Sequence, residues 1–273
     1  MRSGCLRFLT FLAPNMFPVY QFIAEYVGKH LGYPTTLQVG VSFDQFAAGQ
    51  ADVGFLCGLP YVELAAQQPA PVELLAAPVL HGERYHGQPV YFSDVIVHRD
   101  SPFHTFADLR GRAWAYNDLD SHSGYNVVRY QLAQMGETLR FFGRVVEAGW
   151  HQQAIRLVAT RAVDAAAIDS QVLAIELRDN PELAAQLRVI ESLGPSTIQP
   201  VVAARQLPAE LKAAVRAVLL AMGDDPLAQA ELAHGFVERF APVTDTTYDD
   251  IRLMLAAATR VSGGVAEIPD SRK

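Results

Sequence analysis

The sequence is poor in several features that mark common classes of protein. It has only two cysteines in 273 residues, Cys5 and Cys57, and neither stands beside another candidate metal ligand. Its 29 acidic and 22 basic residues give a net charge of -7 with no block of like charge, so no basic surface for nucleic acid is expected. Phosphate loops of the Gly-x-x-x-x-Gly-Lys type and dinucleotide loops of the Gly-x-Gly-x-x-Gly type are absent. The sequence therefore predicts no nucleotide, nucleic acid, metal or other cofactor.

The composition is that of a soluble globular protein. Hydrophobic residues make up 50% of the chain and charged residues 19%, which fits neither a disordered nor a membrane-spanning protein. The length allows one large core or two modest ones, and no linker or short repeat divides the sequence.

The start of the sequence bears on the cellular compartment. The first five residues run directly into a predicted strand at 6–12, which leaves no room for an export signal. The sequence as it stands therefore predicts a cytoplasmic protein. Removal of a signal would leave the same sequence, and would place the protein in the periplasm or on a lipid anchor.

Short apolar runs alternate with helical patterns along the chain, which predicts an α/β fold. The pattern starts again at Phe106, which indicates a second unit. The predicted strands are 6–12, 37–41, 53–57, 72–79, 90–97, 113–116, 145–146, 165–168 and 189–190, with a Val/Ala run at 199–205; the predicted helices are 17–31, 43–49, 61–67, 125–136, 152–160, 209–222, 226–236 and 248–259.

A polar loop at 116–126 joins a predicted strand to a predicted helix. Ligands gather at the carboxyl ends of strands in βα units, and the N–H groups at a helix start favour an anion. Ser121 and Ser123 add hydroxyl donors, and Gly124 allows close approach of the backbone. The alternative is a helix cap, because Asp120 and Ser121 are both preferred cap residues.

Four further residues are candidates for the same pocket. His151 precedes a helix predicted to start at Gln152, and Asp169 ends a predicted strand, although a structural histidine and a cap by Asp169 or Ser170 explain them at least as well. Tyr61 and Tyr91 combine an apolar ring with a hydroxyl, which suits either a pocket wall or the core.

Catalytic and metal-binding interpretations find little support. His81 and His86 match no zinc spacing, and the segment 121–124 is not a Gly-x-Ser-x-Gly elbow. An enzyme using His122 or His151 with Asp169 as an acid–base pair matches no recognised catalytic spacing. We therefore expect a binding protein and not an enzyme.

Five segments, in order, resemble the motifs of one known family. They are Ala51 to Tyr61, the aromatic strand from Tyr91, the Asp-x-x-Ser-x-Ser-Gly loop from Asp118, the Gly-x-His-x-x-Ala-Ile motif from Gly149, and the Val-Asp-Ala-x-x-x-Asp-Ser strand from Val163. The family is that of the PhnD-like substrate-binding proteins of phosphate, phosphite and phosphonate ABC transporters, and the similarity covers nearly the whole chain.

The resemblance implies a type II periplasmic-binding-protein fold, with two Rossmann-like lobes joined by two crossover strands and a ligand cleft between the lobes. Lobe 1 would comprise residues 1–92 and 204–273, and lobe 2 residues 93–203. The family's function implies capture of a phosphonate-like or phosphate-like oxyanion and delivery to an ABC permease. The alternative is a ligand-sensing or regulatory module of the same fold.

The resemblance also implies roles for single residues. Ser121, His122, Ser123 and Gly124 would hold the oxyanion through hydroxyls and backbone amides, with a further hydrogen bond from His151. The opposite wall would contain Tyr61 and Tyr91, and Asp169 would lie near the pocket. His122 stands where many relatives carry a small hydroxyl residue, so its ring either donates to the anion or fills space and redirects the pocket.

Overall fold

A computed structural model describes residues 4–262 and shows an α/β protein, as predicted. The strands are β1 Leu6–Thr10, β2 Thr35–Val39, β3 Val53–Phe55, β4 Val72–Leu80, β5 Val90–His98, β6 Ala113–Tyr116, β7 Arg144–Glu147, β8 Ala165–Asp169, β9 Leu187–Thr197, β10 Val201–Ala204 and β11 Val237–Ala241. The α-helices are α1 Phe17–Leu31, α2 Asp44–Ala47, α3 Gly58–Ala65, α4 Val127–Gln134, α5 His151–Ala159, α6 Ser170–Asp179, α7 Pro181–Gln186, α8 Ala209–Ala221, α9 Pro226–Leu232 and α10 Asp249–Ser262.

The described chain divides into two compact units, the first formed by residues 4–90 and 197–249 and the second by residues 91–196 and 250–262. The first unit contains a six-stranded sheet in the order β11-β4-β10-β3-β1-β2. Strands β1, β2 and β3 are parallel, whereas β10 and β11 run antiparallel to their neighbours. This arrangement of parallel strands, with helices between them, follows from the βα alternation of the sequence.

The second unit contains a five-stranded sheet in the order β7-β6-β8-β5-β9. Strand β6 is parallel to both β7 and β8, and β5 is antiparallel to β8. Successive residues of β8 alternate between two hydrophobic clusters, with Ala165 and Ala167 in one and Ala166 and Ile168 in the other. Because β8 is covered on both faces, it reads in the sequence as a continuous apolar run that ends at Asp169.

The boundaries of the units differ from those predicted by two residues at 91–92, which belong to the second unit, and more widely in two other places. Residues 197–203 were expected in lobe 2, but β10 pairs with β3 and β4 in the sheet of the first unit. The C-terminal helix α10 was expected in lobe 1, but it belongs to the second unit, where Met254 packs against a hydrophobic cluster. Both differences come from tertiary contacts that leave no mark in the local sequence.

Three elements were missing from the predictions: α6, α7 and β11. Helix α6 begins at the residue after β8, so no turn sequence separates the two elements. Strand β9 is also much longer than the predicted 189–190. The sequence did not indicate its full length, because most of its residues are only partly buried and its pattern is not apolar. Within residues 4–262, no helix has the length and apolar character needed to cross a bilayer.

The two tryptophans provide a test of the core of the second unit. Trp114 is 1% exposed and stacks on Phe142, with 4.6 Å between ring centroids. We expect Trp114→Ala to lower the free energy of unfolding by about 3 to 5 kcal/mol, because it leaves a large cavity. Trp150 is 45% exposed, and Trp150→Ala should change it by about 0.5 kcal/mol or less. Urea denaturation measures both values, and equal losses would contradict the assignment of Trp114 to the core.

Candidate functional site

Three strand-to-helix junctions meet at one edge of the second sheet. Strand β6 leads to the polar loop at 117–121, β7 leads to α5, and β8 leads to α6. Because β6, β7 and β8 are parallel, their carboxyl ends lie at the same edge. Open α/β sheets bind their ligands at this edge.

The polar loop ends in a short π-helical segment, His122–Asn126, called the π-turn below. The backbone N–H of Asn126 donates to the carbonyl of Ser121, five residues back, at 3.0 Å. The helix was predicted to start at residue 125 and begins three residues earlier. Single π-helical turns are rare and often occur at functional sites.

Ser121 caps the π-turn, as the capping interpretation predicted. Its Oγ accepts from the backbone N–H of Gly124 at 3.0 Å, while its own N–H donates to the carbonyl of Asp118 at 3.2 Å. The backbone N–H groups of Ser121 and Gly124 are therefore already engaged within the loop. The Ser121 hydroxyl proton is not used by the cap, so this side chain can still donate to a ligand.

Gly124 lies at a point where the loops after β6 and β7 approach each other closely. A Cβ atom at this position would lie 1.9 Å from Asn117 Oδ1 and 3.3 Å from His151 Cε1. Any side chain would force these two groups away. Glycine is therefore required here for packing against these two protein groups. Its predicted role, close approach of the backbone to a ligand, stays a prediction.

Ser123 and His151 are in direct contact. The Oγ of Ser123 and the Nε2 of His151 are 3.1 Å apart, and both side chains are buried. The other ring nitrogen of His151, Nδ1, is buried and has no hydrogen-bond partner among the described residues. Burial lowers the pKa of His151 to about 4, so the ring is neutral at pH 7. If the Ser123 hydroxyl donates to Nε2, the single ring proton lies on Nδ1, and the pair presents an unused N–H donor.

His122 is fully buried, and both of its ring nitrogens have partners within the second unit. Its Nδ1 lies 3.1 Å from Asn126 Nδ2, and its Nε2 lies 3.0 Å from Ser196 Oγ. Burial lowers the pKa of His122 to about 3. Of the two interpretations of the sequence, this geometry favours a ring that fills space over a ring that donates to an anion.

Asp169 and Tyr91 also belong to the second unit. Asp169 is the N-cap of α6, and its Oδ1 accepts from the backbone N–H groups of Gln171 and Val172 at 2.8 and 3.2 Å. The π-turn packs against β8, the strand that Asp169 ends. Tyr91 is buried on β5, with its ring centroid 6.4 Å from that of His122.

Tyr61 belongs to the first unit and lies on α3. Its hydroxyl donates to Asp245 Oδ1 at 2.7 Å, and its ring centroid is 4.7 Å from that of Tyr248. Tyr61 is thus buried in contacts of its own unit, and its role as a ligand contact stays a prediction.

A family model for the periplasmic substrate-binding protein of phosphonate ABC transporters matches residues 9–248. The chain belongs to this family. The expected type of fold is confirmed by solved structures. A binding-protein component of an ABC phosphonate transporter from Pseudomonas aeruginosa is 20% identical, with a TM-score of 0.83 over 96% of this chain and 90% of the other.

Two further structures show how the fold is used elsewhere. PhnD1 from Prochlorococcus marinus, in complex with methylphosphonate, is 17% identical, with a TM-score of 0.81 over 97% of this chain and 100% of the other. A Xanthomonas citri protein bound to ATP is 18% identical, with a TM-score of 0.70 over 96% of this chain and 99% of the other. The family assignment makes this chain a substrate-binding component of an importer.

Sequence reasoning missed three residues that shape the loop: Asn117, Asn126 and Ser196. Asn126 lies four residues after His122, a spacing that places side chains on one face of a helix and could have indicated the contact. Asn117 follows β6 directly, but nothing local marks its approach to Gly124. Ser196 lies 74 residues after His122, and only the folded chain brings them together.

The buried imidazoles predict acid sensitivity. The folded-state pKa of His151, about 4, is below the ordinary value of 6.5, so its contribution to stability is present above pH 6.5 and is lost as pH falls toward 4. The linked loss is about 3 kcal/mol for this ring. We expect urea denaturation to show a falling free energy of unfolding through this range.

A matched pair of variants tests whether His151 is the source of this pH dependence of stability. His151→Gln should reduce the dependence on pH, whereas the same change at His81, which is exposed, should leave it intact. An unchanged dependence in His151→Gln would show that this ring is not the source.

Proposed function

We propose that the protein captures a compact phosphonate-like or phosphate-like oxyanion at the carboxyl edge of the second sheet, for delivery to an ABC permease. One observation carries this proposal: the buried Nδ1 of His151 has no partner in residues 4–262, and the same ring contacts Ser123 of the π-turn. An unsatisfied buried polar atom costs about 1 to 3 kcal/mol, so such an atom calls for a functional explanation. A bound anion would supply the explanation.

The electrostatic character of the site supports an oxyanion bound by neutral donors. The proposed donors are the hydroxyl of Ser121, the backbone N–H of Ser123 in the first helical turn, and the Nδ1–H of His151. The Ser123 hydroxyl donates to Nε2 of the same ring, which places the proton of the neutral imidazole on Nδ1. Burial keeps this ring uncharged at pH 7, because it lowers the pKa to about 4. Oriented hydroxyls and helix N-termini bind oxyanions without a full positive charge, which is consistent with an acidic protein.

The remaining predicted residues have less direct roles in this proposal. Asp169 shapes the edge as the cap of α6, and Tyr91 packs beside His122. Gly124 keeps the loops after β6 and β7 together. Tyr61 remains a candidate contact from the first unit.

The relatives support the class of ligand and the compartment. PhnD1 binds methylphosphonate with the same fold, which makes methylphosphonate the first ligand to test. The family is periplasmic, so we propose a periplasmic protein and not the cytoplasmic one that the start of the sequence predicted. The family assignment likewise favours transport over sensing.

Isothermal titration tests the ligand class. We expect heat of binding with at least one of methylphosphonate, phosphite, phosphate and 2-aminoethylphosphonate. ATP is included because one similar structure contains it, and we expect it to bind more weakly than the compact anions. A folded protein that binds none of the four compact anions would contradict the proposal.

Ser121→Ala and Ser123→Ala test the donors. Each variant should weaken binding of the compact anion by about 1.5 to 3 kcal/mol. Ser121→Ala removes a hydrogen bond to a charged oxygen, and Ser123→Ala removes the hydroxyl that keeps the His151 proton on Nδ1. Ser101→Ala is the matched control, since the Ser101 hydroxyl has no hydrogen-bond partner among the residues described. Unchanged affinity in both loop variants would move the site elsewhere.

A further inference from the structure

The two contacts of the His122 ring define where its proton lies. Asn126 presents its amide nitrogen, which can only donate, to Nδ1 of the ring. Nδ1 therefore accepts, and the proton of the neutral imidazole lies on Nε2. Nε2 then donates to the hydroxyl oxygen of Ser196 at 3.0 Å. Both polar atoms of the ring are used inside the protein.

We propose that His122 is a positioning residue, which clamps the π-turn to Ser196 and makes ligand affinity depend on that distant serine. The inference rests on the proposed function, because it assumes that the π-turn binds the ligand. His122 itself makes no contact with the ligand in this proposal. Nδ1 of its ring contacts Asn126 at the end of the π-turn, and Nε2 on the opposite edge of the ring contacts Ser196 on β9.

Ser196 occupies a particular place along the chain. It is the last residue of the second unit before the chain passes into the first unit at Thr197. Its hydroxyl also lies 3.7 Å from the sulfur of Met254 on α10, the segment with which the chain returns to the second unit. The clamp thus connects the π-turn to two of the three segments at which the chain crosses between the units, the end of β9 and the helix α10.

Burial shields the hydrogen bonds of the clamp from water. His122 is 0% exposed, Asn126 is 0% exposed and Ser196 is 3% exposed, so water does not compete for these hydrogen bonds. Burial lowers the pKa of His122 to about 3, so Nδ1 is unprotonated at physiological pH and accepts from Asn126. A small hydroxyl residue at this position could not span the distance from Asn126 to Ser196.

The first experiment measures methylphosphonate affinity, or that of whichever compact anion binds the unmodified protein, in a double-mutant cycle. Ser196→Ala should weaken binding about fivefold and His122→Leu about tenfold, because each removes hydrogen bonds that hold the loop. In the His122→Leu background, Ser196→Ala should have an effect of less than about twofold. His122→Gln, whose amide can accept from Asn126 and donate to Ser196, should recover most of the affinity.

The second experiment needs no ligand. Amide hydrogen exchange of residues 122–126 in the ligand-free protein should be about fivefold faster in Ser196→Ala than in the unmodified protein. Ser101→Ala, a serine outside the clamp, should leave the exchange unchanged. The Ser196 variant keeps the His122 ring in the core, so it remains informative if His122→Leu fails to fold.

The outcomes separate this inference from the proposed function. If no compact anion binds but Ser196→Ala speeds exchange in the π-turn, the clamp exists and the proposed function is wrong. If an anion binds and neither Ser196→Ala nor His122→Leu changes its affinity, His122 does not position the site. Effects of the two substitutions that simply multiply would also overturn the inference, because a clamp requires them to be coupled.

Discussion

The site depends on the parallel pairing of β6 with β7 and β8. This pairing brings the loop after β6, the start of α5 and the start of α6 to one edge of the sheet, although they are far apart in sequence. Each junction contributes a helix start, where N–H groups and the helix dipole favour an anion. Without this register, Ser123 and His151 would not meet.

The chemistry of the site follows from burying neutral polar groups. A buried imidazole loses its charge, and its two nitrogens must then be satisfied by hydrogen bonds. His122 satisfies both through Asn126 and Ser196, whereas His151 uses one on Ser123 and leaves Nδ1 for a further partner. We therefore propose different roles for two histidines with similar burial: His122 holds the loop, and His151 binds the ligand.

Much of the local structure could be predicted from the sequence. Helix α1 and strand β6 have the predicted bounds, and the cap interpretations of Ser121 and Asp169 are confirmed. These features depend on near neighbours, so apolar periodicity and cap preferences are enough to locate them. The π-turn was not predicted, since its extra residue per turn has no simple signature in side-chain pattern.

By itself, the sequence determined the α/β class and the family to which the ordered motifs belong. Tertiary structure alone decided the contact of His122 with Ser196, the contact of Ser123 with His151 and the assignment of β10 and α10 to their units. The physical reason is the distance along the chain over which an interaction acts. Periodicity and caps express interactions within a few residues, whereas a hydrogen bond between residues 122 and 196 exists only when the sheet and the helices around it have folded.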